Sequence, residues 1–200
     1  MTQGDGESYG AEFVIQKKKG RLSGWIGYTL SWSTRQFDEL NFGKKFPFTY
    51  DRRHDISVVA SYDISDRISI SGTWVYGTGN AITLANSVYN GFYPGVEVNG
   101  EQLGGRSFSN LEFFDNRNNF RLRAYHRFDM GIEFKKQKKH WKRTWTLGVY
   151  NAYSRKNPFF VFLGSRLEEQ PDGSTEIVPA LRQTSLIPVL IPSFNYRFEF

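Results

Sequence analysis

The stretch "LRAYHRFDMGIEF" (residues 122–134) decides the fold class of this chain because two kinds of side chain alternate along all of it. Apolar or ring side chains occupy every second position from Leu122 to Phe134, and polar residues such as Arg123, Arg127 and Glu133 fill positions between them. Successive side chains of an extended strand point to opposite faces of a sheet. The period of two therefore predicts a strand with one apolar face and one charged face.

The same period recurs in six further segments, so that we count seven strands in all. Trp25 and Val59 interrupt the alternation, because each is a large apolar residue on the polar side of its segment. The six segments are "SYGAEFVIQK" (8–17), "RLSGWIGYTLSWS" (21–33), "DISVVASYDI" (55–64), "RISISGTWVYG" (67–77), "TWTLGVYN" (144–151) and roughly residues 186–200.

The connections between these strands alternate strictly in length. "KKKGR", "SDR" and "KKQKKH" are short, whereas residues 36–53, 77–119 and 155–177 are long. This order predicts an antiparallel up-and-down meander with all short turns at one end and all long loops at the other. Transmembrane β-barrels of the bacterial outer membrane have this asymmetry, with apolar residues outward and polar residues inward.

The aromatic content fits the same interpretation. The chain has 18 Phe, 11 Tyr and 5 Trp, yet its mean hydropathy is only −0.52. Membrane barrels place rings in girdles at both interfaces. Six rings near predicted strand ends suit such girdles: Tyr62, Trp74, Tyr76, Trp145, Phe198 and Phe200.

Other classes of protein are not favoured. The chain has no Cys, no apolar run long enough for a membrane helix and no secretory signal among its first 30 residues. The net charge of +6 and the basic runs 17–21 and 135–143 allow nucleic-acid binding, but both runs coincide with short turns, so we expect no nucleic-acid partner. The three His are dispersed and no catalytic constellation occurs, so we expect no enzyme, metal or cofactor.

Three segments resemble the C-terminal barrel of TonB-dependent receptors, particularly those of Bacteroidota. They are "YDRRHDISVVASYDISDRISISGTWVYGTGNAITL" (50–84), "GVYNAYSRKNPFFVF" (148–162) and "SLIPVLIPSFNYRFEF" (185–200). The resemblance spans nearly all of residues 1–200. It implies a 22-stranded barrel with an N-terminal plug, in the outer membrane of a Gram-negative cell, that imports siderophores, cobalamin, glycans or peptides with energy coupled through TonB.

The resemblance carries further expectations about partners and extent. The terminal rings Tyr196, Phe198 and Phe200 resemble the signal that the barrel-assembly machinery reads; an ordinary lipid-facing strand end is the alternative. Seven strands cannot close a barrel of this family, so we expect the C-terminal third of a receptor that neither transports nor folds stably alone. Lipid, TonB through an absent N-terminal part, and a surface lipoprotein are the partners that the family allows.

Two groups of residues are candidates for a functional site. The long loop 77–119 is the expected ligand-contacting loop, with Tyr89, Phe92 and Tyr93 as ring contacts, although these rings could instead pack on one another. Arg121, Arg123 and Arg127 are the expected charges of the barrel lumen. The sequence does not identify the ligand.

Two other functions compete with a receptor. One is a small, self-contained outer-membrane barrel with a structural or adhesive role, whose eighth strand would lie in "GVEVNGEQLGGRSF" (95–108); a hairpin around "NG" fits that segment equally well. The other is a soluble β-sandwich that binds carbohydrate, which does not explain the alternating connections or the rings at strand ends.

Overall fold

The computed structural model describes residues 3–92, 96–98, 101–103, 108–171, 173–187 and 189–200. Of residues 88–92, 96–98, 101–103, 108–111 and 179 we describe the backbone alone. Among the described residues no helix has the length and apolar character needed to cross a membrane.

The described chain is all-β, with antiparallel pairing throughout and one short 3₁₀ turn at Asn41–Gly43. The strands are β1 (Gly4–Lys17), β2 (Leu22–Phe37), β3 (Phe46–Pro47), β4 (His54–Ser65), β5 (Ile68–Gly77), β6 (Ala81–Ile82), β7 (Ser87–Phe92), β8 (Val96–Val98), β9 (Glu101–Leu103), β10 (Phe108–Phe113), β11 (Phe120–Arg121), β12 (Tyr125–Gln137), β13 (Lys142–Tyr150), β14 (Phe160–Glu169), β15 (Thr175–Thr184) and β16 (Ile191–Glu199).

One large sheet contains the seven predicted strands in the predicted order, β1-β2-β4-β5-β12-β13-β16, with β3 added to β2. Turns of two to four residues join β1 to β2, β4 to β5 and β12 to β13, and the long connections lie at the other end. The antiparallel meander is therefore confirmed. Within the described residues the sheet is open, because β1 and β16 each pair along one edge.

The strand pairings assign the apolar positions of all seven strands to one face. Residues paired across an antiparallel ladder share a face, and Ile15, Ile26, Val58, Trp74 and Phe128 form one such row. The opposite face consists mainly of small and polar residues. Its row across six strands is Ser23, Ser61, Ser71, Gly131, Gly148 and Ser193.

The apolar face is not the core of the described chain. Large apolar side chains remain exposed on all seven strands, including Ile15 at 73% and Phe194 at 60%. The buried apolar residues are Phe46, Ala81, Leu122 and Val161, and all four lie outside the seven strands. Because a β-sandwich buries one face of each sheet against the other, this arrangement does not support the sandwich alternative.

Trp25 and Val59, which interrupt the alternation, are neighbours on the polar face. Trp25 of β2 is the direct cross-strand partner of Val59 of β4. Each large side chain therefore has an apolar neighbour, which lowers the cost of exposing it on a polar surface.

The strands are staggered steadily in one direction. The pairings connect Lys17, the last residue of β1 at the turn end, with Pro192, near the loop end of β16. The intermediate partners are Gly24, Ala60, Gly72, Met130 and Val149. A stagger of this kind accompanies strand tilt in closed barrels.

Several predicted segments differ from the structure. The strand expected from residue 122 begins at Tyr125, because buried Leu122 leaves the ladder and donates its N–H to the Asn80 carbonyl at 3.0 Å. The last strand begins at Ile191 rather than near Leu186. Residues 155–177, predicted as a loop, contain β14, which pairs with β15 in a separate hairpin.

The segment proposed to hold an eighth strand forms a hairpin of its own. β8 pairs with β9, with Val98 opposite Glu101, in a two-stranded sheet separate from the large one. The described residues of this segment thus add no strand to the large sheet, whose eighth strand is the two-residue β3.

Candidate functional site

The loop end of the large sheet is organised around Asp51, whose side chain is 2% exposed. The chain places this carboxylate over the end of β2, where it accepts the Ser33 N–H at 2.7 Å. It also forms salt bridges with Arg121 at 2.5 Å and with Arg53 at 3.4 Å. A buried carboxylate is tolerated when donors satisfy its oxygens, so Asp51 joins β2 to β11 through its side chain.

The other residues of the "YDRRHD" segment continue this network. Arg52 donates from Nε to Asn80 Oδ1 at 3.1 Å, and its carbonyl accepts the Ser31 hydroxyl at 2.8 Å. His54 Nδ1 and the Tyr28 hydroxyl are 2.9 Å apart, and their rings stack. The segment therefore has a clear structural role as the connection between β2, β4 and the loop that follows β5.

The three candidate arginines lie in different surroundings. Arg121 in β11 is half-buried on Asp51 and donates to the Gly79 carbonyl at 3.1 Å, whereas Arg123 is exposed between β11 and β12. Arg127 lies on the polar face of β12, paired with Asp129 at 2.9 Å. Two of the three expected lumen charges thus have an acidic partner within the chain.

Arg127 also has aromatic neighbours. Its Nη1 donates to the hydroxyls of Tyr150 at 2.7 Å and Tyr125 at 3.1 Å, and its guanidinium lies 4.2 Å from the centre of the Tyr150 ring. These contacts hold the guanidinium against the sheet near the loop end.

Asparagine side chains connect the long loops to one another. The Asn119 side-chain amide forms two hydrogen bonds with the backbone of Leu84, as a neighbouring strand would. Its Oδ1 accepts the Leu84 N–H at 2.9 Å and its Nδ2 donates to the Leu84 carbonyl at 3.0 Å. Asn118 donates to the Pro47 carbonyl at 2.7 Å, and Asn41 Oδ1 accepts the Arg117 N–H at 2.6 Å. Residues 115–119 therefore join the first long loop to both ends of the second.

An open cavity of about 730 Å³ lies between these connected loops. Residues 82–85, Glu112 and residues 114–117 contribute one side, Asn41 and Phe42 another, and residues 159–163 at the start of β14 a third. Exposed rings line it, among them Phe42 at 85% and Phe160 at 58%. Amide, carboxylate and guanidinium groups of Asn116, Asp115 and Arg117 are also present, so the cavity combines stacking surfaces with hydrogen-bonding groups.

The predicted ring contacts lie elsewhere in the second loop. Tyr89 and Phe92 belong to β7, where their backbones pair with Leu111 and Phe108 of β10. Tyr93 lies outside the described residues. The cavity is formed instead by both ends of this loop, by Asn41 and Phe42 of the first loop and by the third loop. The third loop was not a predicted ligand contact, although "NPFFVF" (157–162) places three rings within four residues.

The terminal rings follow the apolar face at the turn end. Tyr196 lies opposite Trp145, with ring centres 4.6 Å apart, and Phe198 stacks on Trp141 at 5.9 Å. Phe200 is fully exposed, and its ring centre is 5.9 Å from that of Phe198. β16 is thus packed through Tyr196, whereas Phe200 projects freely from its end.

No described group of His, Asp and Glu is arranged to hold a metal ion.

Lys45 donates a hydrogen bond to the Glu7 carboxylate, and this bond raises the pKa of Lys45. The pair joins the first long loop to the edge strand β1.

Comparisons with family models, with curated proteins and with solved structures find no match for this chain. The sequence resemblance and the geometry above are therefore the basis on which its function is argued.

Proposed function

We propose that these 200 residues form the C-terminal part of the barrel of a TonB-dependent receptor in the outer membrane of a Gram-negative bacterium. The receptor imports a siderophore, cobalamin, a glycan or a peptide. One observation carries this proposal: a meander of seven staggered strands has an apolar face that none of the described residues covers, and its opposite face consists mainly of small and polar residues. Lipid is the surrounding that stabilises such an apolar face.

The polar face suits the interior of a large barrel. Its serines and glycines leave room, and several of its charges are paired, as Arg127 is with Asp129 and Lys135 with Glu133. The loop-end cavity with its exposed phenylalanines is the part of this chain that would contact the ligand, because rings stack on sugar and peptide surfaces.

Single cysteines test the membrane orientation, since the chain has no native Cys. In the polypeptide assembled in outer membranes, Cys at Ile26, Val58 or Phe128 should react only with a lipid-soluble maleimide. Cys at Ser57, Ser71 or Thr73 should react with a small water-soluble one. Equal labelling of both sets by the water-soluble reagent would exclude a lipid-facing sheet.

The mass of the native polypeptide tests whether these residues belong to a receptor. An antibody against the last fifteen residues should detect, in purified outer membranes, a species several times larger than the 23.2 kDa of this sequence. A folded membrane species near that mass would exclude the transport function.

A further inference from the structure

At the turn end of the β12–β13 hairpin, the last cross-strand pair on the apolar face consists of two cations. Residues 135–143, "KKQKKHWKR", contain six Lys or Arg and no acid. Lys136 of β12 lies directly opposite Arg143 of β13, and Arg143 lies opposite Phe198 of β16. Phe134 and Trp145 form the preceding pair on this face, so the Lys136–Arg143 pair lies next to these rings on the side of the turn.

The two sides of this hairpin differ in how their charges are neutralised. On the polar face, Lys135 is 3.4 Å from Glu133 and Lys142 is 3.8 Å from Glu199. On the apolar face, Lys136 and Arg143 form no ion pair with any described residue. Like charges directly opposite on a sheet repel, so an anion from outside the chain would stabilise this pair.

Trp141 completes the surface around the pair. Its ring lies 5.7 Å from the Arg143 guanidinium and stacks on Phe198 at 5.9 Å. Trp and Tyr rings favour the depth of lipid headgroups, and Lys and Arg near that depth attract anionic lipids. The neighbouring rings therefore point to a membrane anion rather than to a dissolved one.

We propose that Lys136, Arg143 and Trp141, the rim site, bind the phosphodiester headgroup of an anionic phospholipid such as phosphatidylglycerol. This inference rests on the proposed membrane location and adds to it a specific lipid partner. Phe198 forms the apolar side of the site, so a lipid bound there also covers the terminal rings.

The test compares two double variants of the whole polypeptide that carries these residues, extracted from membranes in detergent. K136Q/R143Q removes the apolar-face pair, and K135Q/K142Q removes the same charge from neighbouring positions on the polar face. Phosphatidylglycerol and phosphatidylcholine are titrated separately, and bound lipid is counted by native mass spectrometry.

We expect K136Q/R143Q to weaken phosphatidylglycerol binding about 25-fold, about 5-fold for each cation. K135Q/K142Q should change it by less than about 2-fold, because those cations have acids beside them. Phosphatidylcholine binding should be equal in all three proteins.

Other outcomes overturn the inference in distinguishable ways. Equal losses in both double variants would indicate a diffuse charge effect and no rim site. Displacement of the lipid by glycerol 3-phosphate at similar concentration would indicate a site for free phosphate. Unchanged lipid binding by an inserted K136Q/R143Q protein would refute the rim site alone, whereas a wild-type polypeptide absent from membranes would refute the proposed function with it.

Discussion

Asp51 and Arg121 are 70 residues apart in the chain, yet their side chains meet in a salt bridge of 2.5 Å at the loop end of the sheet. Arg121 also donates to the Asp51 and Gly79 carbonyls. Through this pair the "YDRRHD" segment anchors the second long loop to the first.

Asp51→Ala should destabilise the folded polypeptide by about 2–4 kcal/mol, because a half-buried guanidinium and the Ser33 N–H lose their acceptor. Arg121→Lys should cost less, since an ammonium replaces one charge but not the forked donors. The urea midpoint, followed by tryptophan fluorescence in detergent micelles, measures both. The exposed Arg123→Gln is the control, and an equal shift in that variant would mean that the bridge has no special role.

Backbone proximity gives a second prediction, at Gly24 of β2. A Cβ on Gly24 would lie 2.1 Å from the Val59 carbonyl oxygen, whereas one on Gly131 of β12 would approach no atom closer than Ser71 Oγ at 3.4 Å and the Leu147 carbonyl oxygen at 3.5 Å, which are ordinary contact distances. Gly24→Ala must therefore push β2 from β4 and should cost about 1–3 kcal/mol. Gly131→Ala should be neutral or stabilise by up to about 1 kcal/mol, because glycine weakens strands. Equal urea midpoints would contradict this reading of the β2–β4 pairing.

The sequence predicts the large sheet well because the patterns that determine this sheet lie within single strands and short turns. Alternation assigns each residue of a strand to a face, and residues 18–21, 66–67 and 138–141 are short turns that leave only antiparallel neighbours. The pairing of Trp25 with Val59 required the register between two strands, which alternation within one strand does not contain.

The loop end was predictable only in part. The side-chain contacts of Asp51 with Arg121 and of Asn119 with Leu84 join residues that are far apart in the sequence, and no local pattern predicts such contacts. The β14–β15 hairpin had one local signal, the "DG" at residues 172–173. Pro179 inside β15 weakened it, because proline argues against an interior strand; β15 tolerates it by pairing along one edge among the described residues.

The rings at the C-terminus allow their role in stability and their expected role in membrane assembly to be tested by different substitutions. Tyr196 packs on Trp145 at 4.6 Å, so Tyr196→Ala should lower the stability of the assembled protein by about 1–2 kcal/mol. Phe200 is fully exposed, so Phe200→Ser should leave stability nearly unchanged but reduce the fraction that reaches the outer membrane. Membrane fractionation measures the second effect. Phe42→Ser, another exposed ring far from the terminus, should assemble normally; a comparable assembly defect there would argue against a terminal signal.

The last prediction concerns the loop-end cavity and compares two parts of the long loops as the ligand site. Phe160→Ala with Phe162→Ala removes two rings that stack at 6.0 Å beside the cavity, whereas the triple change of Tyr89, Phe92 and Tyr93 to Ala removes the rings that the sequence favoured. If the chain belongs to the proposed receptor, we expect the Phe160/Phe162 variant to lower ligand uptake about 10-fold or more, because each lost stacking contact costs about 0.5–1.5 kcal/mol beyond its lost apolar area. Uptake by cells that carry either variant, normalised to the receptor in the outer membrane, measures the effect. Loss in the triple variant alone would move the ligand site from the cavity to the β7 region, and normal uptake in both would remove these loops from ligand binding.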